Sequence, residues 1–204
     1  MQHFRAILAG LSLVATLAVI PAAFAQTGQQ GSVSVTRTAS PEKRLDFEVT
    51  VPATPAAVWE ALSTSQGLMT WLWRGAHVDL RVGGDWLVKF PSSTGGGTIT
   101  GFVPLQRLEI SALAPDQFPN VRRERTRAVF ELRPAADGKS TVVHLSQTGW
   151  KSGEEWDKAY DYLAEGNAEL LNNLRQRFVT GPVDWDAMMK AAEKPQPAAD
   201  PKSH

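Results

Sequence analysis

Cysteine is absent from all 204 residues. That excludes disulfides, thiolate nucleophiles and thiolate metal sites, so the fold must rest on its core alone even in an oxidising compartment. Net charge is missing too. Lys plus Arg and Asp plus Glu both number 21, which leaves no global field to draw the chain to nucleic acid or to an anionic membrane. Histidine is scarce at four residues, none of them paired at metal-ligand spacing, and neither HExxH nor GxSxG occurs. No metal site, cofactor or catalytic residue is therefore expected.

What remains is 43% hydrophobic and 21% charged residues, the make-up of one globular domain. The first 25 residues stand apart from it. A short basic start, "MQHFR", precedes the uncharged apolar run "AILAGLSLVATLAVI", and Ala23-Phe24-Ala25 supplies a small-x-small cleavage site. Residues 1–25 read as a secretory signal cleaved after Ala25, which predicts a periplasmic or secreted protein with no stable membrane anchor. The alternative is an uncleaved anchor, since a span needs roughly 20 apolar residues. With no cysteine after the site, a lipid-anchored lipoprotein is excluded. Cleavage removes Arg5 and no acid, so the basic count falls from 21 to 20 against 21 acids, nearly neutral still.

Residues 26–43 begin with the polar "QTGQQGSVSVTRTAS" and read as a flexible leader. Residues 181–204 read as a tail: a short candidate helix in "VDWDAMMK", then a Pro- and charge-rich end expected to be mostly disordered. Between them, 44–180 form one domain of about 140 residues, without internal repeats.

That domain opens on "RLDFEVTV", whose strict alternation marks a half-buried strand. Thr54 as N-cap and Pro55 at the first helical position start a helix, which Gly67 is expected to break into two short pieces. From Gly75 to Thr148 the period becomes two, with runs "VDLRV", "DWLVKF", "GTITGFV", "RLEISAL", "TRAVFEL" and "TVVHLSQ". Turn chemistry at Gly83-Gly84, "PSSTGGGT" and "PAADGKS" makes these an antiparallel meander, seven strands in all. Ser152 and Glu155 have capping-box spacing ahead of a last helix ending at Gly181-Pro182. Its stripe of Trp156, Tyr160, Leu163, Asn167, Leu170, Leu171, Leu174 and Phe178 spans about 27 residues, or ~40 Å.

Such a helix must bury its stripe on the sheet's concave face. Alternation points Trp86, Val88, Phe90, Leu108, Ile110, Ala128, Phe130, Leu132, Val143, Leu145 and Gln147 toward it. These side chains fill a core or wall a cavity; periodicity does not separate the two. Gln147 and Asn167 tip the choice, because polar groups among apolar walls need partners and characterise ligand sites. Gly166 beside Asn167 costs the helix roughly 1 kcal/mol against Ala, implying a close approach or a bend.

The segments "VWEALSTSQGLMTWLW", "VDLRVGGDW", "GFVPLQRLEIS" and "AVFELRP…GKSTVVHLSQTGW", with the long last helix, resemble the family named for the activator of the ninety-kilodalton heat-shock protein's ATPase. It belongs to the START-like (SRPBCC) superfamily. The resemblance covers residues 44–180 and implies an α+β helix-grip fold: a curved seven-stranded antiparallel sheet around a long C-terminal helix, with two short helices after the first strand. It also implies a cavity for hydrophobic or amphipathic small molecules. Activation of a cytosolic ATPase does not suit an exported chain. Gly166-Asn167 stands where many relatives place Gly-Trp, which implies a larger or more polar cavity.

The expected site is Trp86, Val88, Phe90, Phe130, Leu145 and Leu163 as gripping walls, with Gln147, Tyr160 and Asn167 orienting a hydrophobic small molecule. Two alternatives stay open: a cavity enzyme of the polyketide cyclase or dehydratase kind, with Tyr160 or Gln147 polarising a substrate oxygen, and a protein-interaction module using the Arg-rich "RRERTR" or Trp185. His77 and His144 should face away from the cavity. "RRERTR" reads as a charged strand edge or an anion site, and "GGGT" as a hairpin tip.

Overall fold

The computed structural model describes residues 31–91 and 93–192. Residues 1–30, which include the segment read as a signal, and the last dozen residues, 193–204, lie outside them. One antiparallel sheet of eight strands runs in the order β1-β2-β8-β7-β6-β5-β4-β3. Its strands are β1 (Ser34–Thr38), β2 (Arg44–Val51), β3 (Ala76–Val78), β4 (Asp85–Lys89), β5 (Thr94–Val103), β6 (Arg107–Ala112), β7 (Thr126–Pro134) and β8 (Thr141–Thr148). The helices are α1 (Pro55–Ser63), α2 (Ser65–Met69), α3 (Pro119–Glu124), α4 (Glu154–Thr180) and α5 (Trp185–Ala192). Among the described residues no helix is long and apolar enough to cross a membrane.

The eighth strand corrects the expected count of seven. It is "SVTRT", placed in the leader because its residues are polar, yet it pairs with β2 from Ser34↔Glu48 to Thr38↔Arg44. An outermost strand needs little apolar surface when its backbone groups supply the bonding. At the other edge, "VDLRV" is a strand only at its first residue. The backbone bonds Arg81 N–H to Asp79 O and Gly84 N–H to Arg81 O, at 2.7 and 2.9 Å, turn the chain instead. Gly83 takes the left-handed φ of 81° that this turn requires.

Three local signals resolve differently from expectation. The helix break falls at Thr64, which ends α1 and caps α2 by accepting from Gly67 N–H at 2.9 Å. The "GGGT" tract is no hairpin tip: Gly95–Gly97 lie inside β5, paired with β4. Gly96 holds φ at 97°, and a Cβ there would collide with the Trp86 carbonyl. The capping box does not form either, for Gly153 is the N-cap of α4 and gives no side-chain bond. Glu155 reaches across to α3, a helix absent from the sequence reading, and accepts from Asn120 N–H at 2.7 Å and Val121 N–H at 3.1 Å.

The inward ladder is as alternation predicts. Register aligns Phe47, Leu145, Phe130, Leu108 and Phe102 across five strands, and beside them Leu45, Gln147, Ala128, Ile110 and Ile99. A bulge between Ile99 and Gly101 preserves the facing of both rows. Burying these rows against α4, α1 and α2 supplies most of the stabilisation, at roughly 25 cal/mol per Å² of apolar surface.

Candidate functional site

The helix α4 is packed at its two ends and, through Ala164 and Ala168, along one side of its middle, while the other side of its middle faces open space. At its start Trp156 and Ala159 pack with Phe118 and Val121 of the α3 region, and Trp150 stands edge-on to Trp156. Near its end Leu171 and Leu174 are wholly buried. Between them Leu163, Gly166, Asn167 and Leu170 face the sheet and are only half-buried. The gap under them is a cavity of about 510 Å³, within the range of small-molecule sites.

Its floor is the sheet: Trp86 and Val88 from β4, Ile110 from β6, Ala128 and Phe130 from β7, Leu145 and Gln147 from β8. Trp86 is held rigidly, since its indole N–H donates to the Leu62 carbonyl at 2.7 Å while its ring lies 6.0 Å from that of Phe130. Ser93 and Thr94, which carry hydroxyls, and the bare Gly95 and Gly96 make a side wall, and the loop from Leu113 to Gln117 closes the front. Asp116, Gln117 and Tyr162 are exposed at the rim.

Eight of the nine residues expected at the site line this space: Trp86, Val88, Phe90, Phe130, Leu145, Gln147, Leu163 and Asn167. Tyr160 does not. Its hydroxyl donates to the Arg44 carbonyl at 2.8 Å, its ring stands edge-on to Trp150, and Lys43 covers its face at 4.5 Å. Burial pushes its phenol pKa up. Tyr160, at the edge of the helical stripe, packs against β2 and Trp150. Of the two readings of Gly166, the close approach is not met, since a Cβ there would meet nothing within 4 Å. It lines open space and accommodates no close approach.

The two amides form a relay. Asn167 Nδ2 donates to Gln147 Oε1 at 2.7 Å, and Gln147 Nε2 donates to Thr126 Oγ1 at 2.8 Å. Thr126 and the side wall escaped sequence reasoning, the first because its arginine neighbours masked an inward strand position, the second because a glycine tract has no facing to read. Among the described residues, Asp116 and Tyr162 are the only ionisable groups in the lining.

In "RRERTR", Arg122 and Arg127 are paired, whereas Arg125 forms no ion pair among the described residues and its Nη1 is buried without a hydrogen bond. Arg122 salt-bridges Asp116 at 3.0 Å and bonds the carbonyls of Thr94 and Ala114, and Arg127 pairs with Glu109 at 2.6 Å. "RRERTR" thus straddles α3 and β7 and is not one strand edge. His77 is exposed on β3, and His144 meets Asp46 at 3.1 Å on the outer face. Among the described residues no group of His, Asp and Glu is placed to hold a metal. Trp185 packs inward, its ring 5.1 Å from Trp73 and its N–H bonded to the Met69 carbonyl.

Comparison with known proteins places this architecture. The sequence model described as "Activator of Hsp90 ATPase homolog 1-like protein" matches residues 52–178. The chain belongs to this family. Among solved structures of similar fold is the Aha1 dimer from Colwellia psychrerythraea, 17% identical with a TM-score of 0.57, covering 68% of this chain and 97% of that one. Protein MLL2253 from Mesorhizobium loti is 18% identical with a TM-score of 0.58, over 69% and 99% of the two chains. CalU16 from Micromonospora echinospora is 19% identical with a TM-score of 0.55, over 81% and 93%. At these identities the likeness concerns the fold alone. A comparison with curated proteins returns no match.

Proposed function

We propose that this family member is an exported protein that binds a hydrophobic or amphipathic small molecule between the sheet and α4. The observation that carries the reading is the half-buried middle of α4 above a cavity of about 510 Å³. Full closure of this space would bury Leu163 and Leu170, at about 25 cal/mol per Å²; both stay half-buried above the cavity. Trp86, Phe90 and Phe130 supply a rigid apolar wall, while Gln147 and Asn167 give an occupant one polar orientation. The catalytic alternative draws no support from Tyr160, whose hydroxyl is turned to Arg44.

Titration with the neutral dye N-phenyl-1-naphthylamine tests the reading. Saturable binding at one site per chain, weakened when Phe130→Asp places a charge on the floor, is the expected result. Binding unaffected by Phe130→Asp would place the dye elsewhere and defeat the proposal. Export rests on the sequence of residues 1–25. A periplasm-active reporter fused after Ala25 should become active, and N-terminal sequencing of the natural protein should begin at Gln26. An intact Met1 in the cytosol would remove export from the reading. In an exported chain, the ATPase activation in the family's name has no partner compartment.

A further inference from the structure

The polar groups inside the cavity say what kind of molecule fits it. Gln147, in the floor, is 3% exposed and its partner Thr126 5%, so both are fixed in place. The relay from Asn167 through Gln147 to Thr126 uses Gln147 Oε1 and the Thr126 oxygen as acceptors. Asn167 Oδ1 receives no hydrogen bond from any described residue, and Asn167 lines the cavity half-buried. Beside that oxygen stands the second hydrogen of the same amide. An occupant therefore meets an acceptor and a donor side by side.

Charge narrows the choice further. No lysine, arginine or histidine lines the cavity among the described residues, and its carboxylate, Asp116, sits at the rim. Arg122, which reaches that rim, is already bonded to Asp116 and to the carbonyls of Thr94 and Ala114. A carboxylate or sulfonate drawn inside would lose its hydration, find no cation and face the lone pairs of Asn167 Oδ1. An ammonium would find no carboxylate beside it in the interior.

Resting on the binding reading above, we propose that the cavity selects uncharged apolar molecules bearing a hydroxyl, an alcohol or phenol that donates to Asn167 Oδ1 and accepts from Asn167 Nδ2. Ethers and hydrocarbons of the same shape enter but are held less well. Acids are rejected.

Four probes with one aromatic body separate these outcomes by calorimetry at neutral pH: 2-naphthol, 2-methoxynaphthalene, naphthalene and 2-naphthoate. The expected order places 2-naphthol about five- to tenfold tighter than 2-methoxynaphthalene, the yield of one net hydrogen bond, with 2-naphthoate weakest. Asn167→Leu should abolish the advantage of the hydroxyl and leave naphthalene binding in place; should that variant not fold, the wild-type order decides alone. A 2-naphthoate Kd equal to or below that of 2-naphthol, or equal Kd values for 2-naphthol and its methyl ether, overturns the hydroxyl selection while leaving cavity binding intact. If none of the four binds, cavity binding falls and the selection falls with it.

Discussion

Asn167 and Gln147 join the middle of α4 to β8 through a 2.7 Å hydrogen bond, at the edge of the cavity that both line. The pair acts as a strut and as a polar landmark. Replacing Gln147 by Leu leaves Asn167 and Thr126 without their partner in a place water reaches poorly, and should cost about 1–3 kcal/mol. The double variant Gln147→Leu/Asn167→Leu removes both amides together and should cost less than the two single changes combined. Urea denaturation of the four proteins gives the coupling; additive costs would show that the amides do not act as a pair.

Gly166 offers the opposite experiment, because an added Cβ meets nothing within 4 Å. Leu in its place should raise stability by about 1 kcal/mol from helix propensity alone, and more if the side chain packs on Phe130 or Leu145. The same side chain occupies the space of a ligand, so dye binding should weaken at least tenfold. Thermal melting and the dye titration read the two effects separately. A destabilised Gly166→Leu protein would mean that the space closes up in solution.

Much of this was readable in the sequence, for reasons that also explain what was not. Strand alternation placed Trp86, Phe130, Leu145 and Gln147 on one face because period-two facing is a property of the pleat, independent of which strands pair. Helical spacing likewise brought Leu163 and Asn167 over them. Backbone pairing of polar segments carries no such signal, so β1 reads as part of a leader. Capping spacing at Ser152 and Glu155 was present, but the carboxylate had a second set of N–H donors within reach at α3, and local pattern cannot choose between them. Tyr160 shows the same limit: its spacing fits the stripe, while the partner that claims its hydroxyl, Arg44, is 116 positions away.

Glu155 should make stability depend on pH. Burial pushes its carboxyl up, but the hydrogen bonds from the Asn120 side chain and the backbone N–H groups of Val121 and Asn120, with Arg123 nearby, outweigh that and hold it below the ordinary glutamate range. A carboxyl depressed in the folded state contributes stability that is complete above its unfolded pKa and lost as pH falls through the folded value. Glu155→Gln should therefore melt a few degrees below wild type at neutral pH, as expected for loss of a cap. The gap should close in acid. A gap that persists unchanged in acid would assign the effect to geometry and not to charge.

Trp185 should tie the end of the chain to the cavity wall. Its ring meets Trp73 at 5.1 Å, and Trp73 in turn lies 6.0 Å from Phe90, a lining residue. Val183 N–H on the Thr70 carbonyl at 2.9 Å and Arg177 Nε on Thr70 Oγ1 at 2.8 Å hold the approach to α5 in place. Trp185→Ala removes one aromatic pair and an indole hydrogen bond, together about 1–3 kcal/mol. It also frees Trp73, so Phe90 loses its backing and dye binding should weaken severalfold although residue 185 touches no part of the cavity. Trp185→Phe keeps the ring and drops the hydrogen bond, and should restore most of the binding. If Trp185→Ala loses stability but binds the dye as wild type does, the aromatic row supports the fold and leaves the wall unaffected.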